Sequence, residues 1–156
     1  MIPTYTEFKK IERFCLEQIS KLNLSNYKIS FHRKYVVCEE CDSKVERKVV
    51  HGESYYDITL YMNYFDTVKD IMFAAAHELR HVWQYEHNHS PVAGHTITTY
   101  DETYDVNVYE MDANRYADHV CTLALYEENS YGMYFSSEEL DIYRKKCLKT
   151  GVKIPV

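Results

Sequence analysis

Apolar residues recur along this chain with two periods, and each change of period marks a new element. Phe8, Ile11, Cys15, Ile19 and Leu22 fall at helical spacing behind a capping box, Thr4-Tyr5-Thr6-Glu7, so an amphipathic helix is predicted to open the chain. From 28 to 37 the period shortens to two, with Ile29, Phe31, Tyr35 and Val37 on one face, which predicts a strand. Residues 44–50 read as its hairpin partner, and 55–62 as a third strand. Helical spacing returns at Met72, Ala75, Leu79 and Val82. Thr67-Val68-Lys69-Asp70 is a second capping box, with Asp66 as a rival cap, so this helix should begin about ten residues before His77. A long connection, 88–105, contains Pro91 and Gly94, and loops of that length are often functional. Residues 106–126 read as helix, and Ser136-Ser137-Glu138-Glu139 caps a last helix that stops near Gly151. The order predicts an α+β fold: an N-terminal helix, a small three-stranded sheet, two long helices and a C-terminal helix.

The helix that follows the strands carries His77-Glu78-Leu79-Arg80-His81. At about 100° per residue the two imidazoles project about 40° apart, close enough to bind one tetrahedral zinc. Glu78 lies on the flank of the same surface, placed to take a proton from a water whose pKa such a zinc lowers to roughly 7. The apolar stripe lies on the opposite side of the helix, so the histidines are not simply part of it. The pattern points to a zinc hydrolase, with Glu78 as general base and His77 and His81 as metal ligands.

A catalytic zinc needs a third protein ligand and an open fourth position. Glu110 is the favoured candidate, because Ala113, Ala117, Cys121 and Ala124 share its side of the helix. Small residues there let the two helices approach closely, so a short carboxylate arm can reach the metal. Asn114, one turn on, could orient Glu110 or a histidine. His87 competes, since His77, His81 and His87 have the metzincin spacing, but Gln84 replaces the glycine that turns the chain sharply. With Gln84 the helix should run on through Trp83 and Tyr85, carrying His87 about 240° around from His81. His95, Asp101 and Asp105, in or near the long connection, remain open as ligands. Tyr116, His119 and His95 are candidate donors for a developing oxyanion.

Composition narrows the setting. With 156 residues the chain is expected to form a single domain, 1–156. A net charge of −6 without a basic run argues against nucleic acid as a partner. The N-terminus shows neither a signal peptide nor a membrane span, and five scattered cysteines read as reduced thiols, so a cytoplasmic protein is expected. Cys38-Glu39-Glu40-Cys41 is one C-x-x-C, half of a structural zinc site that His32 or His51 could complete. Without a second such pair, two free thiols at a hairpin tip are expected.

The helix, three strands, His77-Glu78-x-x-His81 helix and Glu110-bearing helix together resemble the small gluzincin metallopeptidases. Among these the chain is similar to the ImmA/IrrE-like family of bacterial and mobile-element proteases, whose Glu-x-x-Ala-Asn-x-x-Ala helix is matched by Glu110, Ala113, Asn114 and Ala117. The similarity covers roughly 4–126, and Arg80 departs from the small residue usual before the second histidine. The resemblance implies a zincin-like fold with zinc on His77, His81 and Glu110, and Glu78 as general base. It also implies a protein substrate in the same cell, such as a transcriptional repressor. Two further function classes stay open: a zinc-binding regulatory or adaptor protein without turnover, and a zinc amidohydrolase acting on non-peptide substrates.

Overall fold

The computed structural model describes residues 1–36, 41–87 and 108–126. Their elements run in the order α1 (Tyr5–Lys21), β1 (Ile29–Lys34), β2 (Ser43–Val50), β3 (Glu53–Tyr61), α2 (Val68–Glu86) and α3 (Val108–Tyr126). Short 3-10 turns, Asn26–Lys28 and Met62–Tyr64, precede β1 and follow β3. The described residues form an α+β fold with three helices and one three-stranded sheet. The expected long connection 88–105 and C-terminal helix from 136 lie outside the described residues.

Both predicted capping boxes are present. Thr4 and Glu7 exchange side-chain-to-backbone hydrogen bonds at the start of α1, and Thr67 and Asp70 do the same for α2. Thr67 rather than Asp66 is the cap. Each pair satisfies amide donors that the first helical turn leaves unpaired. The stripe of α1 faces inward, with Ile11, Phe14, Cys15 and Ile19 buried beside Gln18.

The sheet corrects one expectation. Residues 28–37 and 44–50 were predicted to form a hairpin, yet β1 does not pair with β2. The order is β1-β3-β2, with β2 antiparallel and β1 parallel to β3. The cause is the tight turn between β2 and β3, where His51 (φ 50°) and Gly52 (φ 80°) both take left-handed backbone. That is the two-residue turn whose twist matches antiparallel strands, and its short loop makes this pairing the cheapest to close. β3 is the most apolar strand, so it takes the centre, with Tyr56, Ile58 and Leu60 buried. β1 is also shorter than predicted, and of the face predicted for it Ile29 is buried while Phe31 and Tyr35 are exposed.

One face of the sheet packs on helices while the other is charged. Ile58 faces the core with Val45 and Phe31 as its register partners. On the opposite face Asp57 pairs with His32 (2.9 Å) and with Lys48, and Lys44 pairs with Glu46 (2.8 Å). This alternation is what a sheet with one solvated side requires. α2 lies at the centre of the molecule, in contact with α1, α3, β2 and β3. Met72, Ala75, Leu79 and Val82 are fully buried, as their stripe predicts.

Candidate metal centre

Because α2 is covered on nearly every side, its polar residues are buried as well. His77, Glu78 and His81 are all less than one-tenth exposed, which is costly for such groups unless they have partners. Their partners come largely from one another and from α3. The His77 and His81 rings meet edge to face, and their Nε2 atoms are 3.1 Å apart. Glu110, in the first turn of α3 and itself buried, sets one oxygen 2.9 Å from His81 Nε2 and the other 3.1 Å from His77 Nε2. The small residues behind it explain its reach: Ala113, Ala117, Cys121 and Ala124 are all buried where α3 packs on α2.

Two imidazoles and a carboxylate therefore form a triangle of groups, with the imidazole nitrogens 3.1 Å apart, one Glu110 oxygen 2.9 Å from His81 and the other 3.1 Å from His77. Zinc bonds of about 2.0–2.1 Å in tetrahedral geometry hold ligand atoms about 3.3–3.4 Å apart, so the 3.1 Å between the two imidazole nitrogens is within a few tenths of an ångström of that spacing, with a carboxylate oxygen close to each. His77, Glu78 and His81 also offer ligand atoms that all lie within 4.8 Å of one another, a group that could hold a metal ion. The donor set and its size both fit.

The electrostatics of the cluster favour a cation. Burial by itself disfavours charge on His81, but the hydrogen bond to Glu110, with the charges of Glu78 and Glu110, pushes its pKa up to about 9. Burial likewise opposes charge on Glu110, yet its hydrogen bonds to His77 and His81 hold the carboxyl well below the usual range. A proton on His81 here does the work that a divalent ion would do more strongly.

Glu78 stands apart from that triangle. Ser43 Oγ, at the start of β2, donates to Glu78 Oε1 over 2.8 Å. Gln84, one turn beyond His81, places Oε1 2.8 Å from His81 Nδ1. Its amide nitrogen lies 3.0 Å from the Tyr109 carbonyl and 2.8 Å from Asp112 Oδ2. Arg80 grips Asp112 through two hydrogen bonds, 2.8 and 3.2 Å. Position 80 therefore fastens α2 to α3.

The other candidates are dispersed. His87 caps the C-terminal end of α2, hydrogen-bonds the Trp83 carbonyl (2.9 Å) and stacks on the Trp83 ring. Gln84 lies inside an unbroken helix, as expected, so His87 is carried away from the cluster. Tyr116 Oη donates to Gln18 on α1, and His119 is half-buried with burial pushing its pKa down. Asn114 is half-buried on α3, one turn beyond Glu110. His95, Asp101 and Asp105 lie outside the described residues. So does Cys38, while Cys41 lies on the connection from β1 to β2 rather than at a hairpin tip. His32 is held by Asp57, and His51 sits at the far end of β2, on the order of 25 Å from Cys41 at strand rise.

No protein-family model, curated protein or solved structure matches this chain. Among the described residues no helix is long and apolar enough to cross a membrane.

Proposed function

We propose that this chain is a zinc-dependent metallopeptidase of the gluzincin type with a zincin-like fold, cutting a protein substrate in the cytoplasm. The observation that carries the reading is the triangle of His77 Nε2, His81 Nε2 and the Glu110 carboxylate, with Glu78 beside it but bonded elsewhere. Zinc, when bound, supplies a Lewis acid for the scissile carbonyl and an acidified water. His77, His81 and Glu110 would hold it. Glu78 would accept a proton from the water and deliver it to the leaving amine, for which its carboxylate must be free of the tripod. The serine bond to Glu78 is compatible with that role, since it occupies one lone pair of one oxygen.

A peptide suits the surroundings of Glu78 better than a small amide does. β2, the strand that carries Ser43, pairs only with β3, and its outer edge has no strand partner among the described residues. An extended peptide added along that edge would pass the Glu78 end of the cluster. The resemblance to ImmA/IrrE-like proteases makes a transcriptional repressor the substrate to try first.

Elemental analysis of purified protein should find about one zinc per chain, lost in His77→Ala and His81→Ala. Zinc-loaded protein should cleave members of a peptide and protein panel, and Glu78→Gln should keep the metal yet lower the rate by about 10²–10⁴-fold. Absence of zinc uptake even with excess metal counts against the reading. So does cleavage that survives Glu78→Gln within a few-fold. Turnover of small amides but not peptides would point to an amidohydrolase instead.

A further inference from the structure

Gln84 sits where the two ligand-bearing helices meet, with only 1% of its surface exposed. A carboxamide has one accepting end and one donating end, so its partners decide which way it points. Tyr109 offers a backbone carbonyl, and Asp112, gripped by Arg80, offers a carboxylate; both are acceptors. The Gln84 amide nitrogen must therefore face α3 and donate to both. Reversing the amide would set its oxygen against two acceptors at a buried site, where unmade hydrogen bonds are costly. The Gln84 oxygen consequently faces His81, and the hydrogen in that bond belongs to His81 Nδ1. His81 Nε2 is left as the ring atom turned towards His77 and Glu110.

We propose that Gln84 is a positioning residue for the metal centre, fixing His81 in the Nδ1–H tautomer while pinning the first turn of α3, which carries Glu110, against α2. This rests on the zinc reading of the site and adds which side chain sets its geometry. Two of the three ligands depend on it: His81 through a direct hydrogen bond, and Glu110 through its neighbours Tyr109 and Asp112. His77 is held differently, since its Nδ1 has no hydrogen-bond partner among the described residues and its ring stacks against Phe73. Arg80 is the outer end of the same chain of contacts, with its guanidinium 3.7 Å from the centre of the Trp83 ring.

Two substitutions separate positioning of His81 from simple helix attachment. Gln84→Met keeps the length and apolar stem but removes both polar ends. Gln84→Glu keeps an acceptor for His81 Nδ1 and loses the donor to α3. Both should lower the melting temperature of metal-stripped protein. In competition with a chelator, Gln84→Met, which loses both contacts, should bind zinc about 10–100-fold more weakly, while Gln84→Glu, which keeps the acceptor for His81 and loses the donor to α3, should fall between Gln84→Met and wild type. Nitrogen-15 NMR of zinc-loaded wild type should show His81 with hydrogen on Nδ1 and metal on Nε2. Metal on His81 Nδ1, equal affinity losses in the two variants, or wild-type affinity in Gln84→Met would each overturn the proposal. If Gln84→Met does not fold, the wild-type spectrum and Gln84→Glu still decide it. Wild type that takes up no zinc defeats the zinc reading and this inference together, whereas zinc-loaded wild type with an unaffected Gln84→Met defeats this inference alone.

Discussion

Ser43 and Glu78 are 35 residues apart in the chain, yet the serine hydroxyl donates to the glutamate carboxylate over 2.8 Å, with both residues buried. The bond joins the start of β2 to the middle of α2 and gives a buried carboxylate one of the partners it requires. Ser43→Ala should lower stability by about 1–3 kcal/mol, as expected when a charged buried acceptor loses its donor. Zinc content should not change, because Ser43 is not in the triangle. Urea unfolding and metal analysis on the same preparation would check both. Loss of zinc in Ser43→Ala would mean that the Glu78 carboxylate belongs to the metal shell.

The third ligand can be tested by contrast. Glu110→Gln removes the charge of a carboxylate whose two oxygens each contact one imidazole, so zinc affinity should drop steeply. His87→Ala removes a ring that is stacked on Trp83 at the end of α2, so affinity should hardly move. Zinc titration of each variant against a competing chelator separates them. A large loss with His87→Ala and none with Glu110→Gln would move the site towards the metzincin arrangement.

Local signals in the sequence carried most of what is seen in the helices. Thr4 and Thr67 cap as their boxes predict, and the spacing of His77 and His81 gives facing nitrogens because both lie on one regular helix. Gln84 in place of glycine correctly implied an unbroken α2. The small face of α3 likewise implied the approach that brings Glu110 to the histidines. Strand order was not legible in the same way, because alternation marks a strand without naming its neighbour. The one local signal for it is His51-Gly52, which closes β2 onto β3. Ser43 and the contacts of Gln84 to Tyr109 and Asp112 were out of reach for another reason. They join residues 25 to 35 positions apart, and no local pattern encodes such a meeting.

The β2–β3 turn gives a test of the sheet that does not involve the metal. Gly52 has φ +80°, and a Cβ built there meets nothing within 4 Å, so only backbone strain opposes a side chain. Gly52→Ala should therefore cost about 1–2 kcal/mol, the usual penalty for left-handed backbone in an L-residue. Chemical denaturation would measure it. A neutral or stabilising result would mean that β2 and β3 are not joined by this turn.

The His81–Glu110 pair predicts how the metal-stripped protein responds to pH. The folded pKa of His81 is raised from 6.5 to about 9 against the opposing effect of burial, chiefly by its hydrogen bond to Glu110. A raised pKa means that the folded state binds the proton more tightly than the unfolded chain does. This contribution to stability is fully present below about pH 6.5 and is lost as pH rises through about 9. Glu110 is shifted the other way from 4.5, so its contribution is present above that value and fades in acid. Together they give metal-stripped protein its largest benefit between about pH 4.5 and 6.5, with a decline towards pH 9. Zinc reverses the trend, because it needs the imidazole without its proton, so added zinc should raise the melting temperature more at pH 8 than at pH 6. Thermal melts of stripped and zinc-loaded protein across this range, with Glu110→Gln alongside, would show it. The alkaline decline of the stripped protein should be much smaller in Glu110→Gln; an undiminished decline would mean that the pair does not hold the proton on His81.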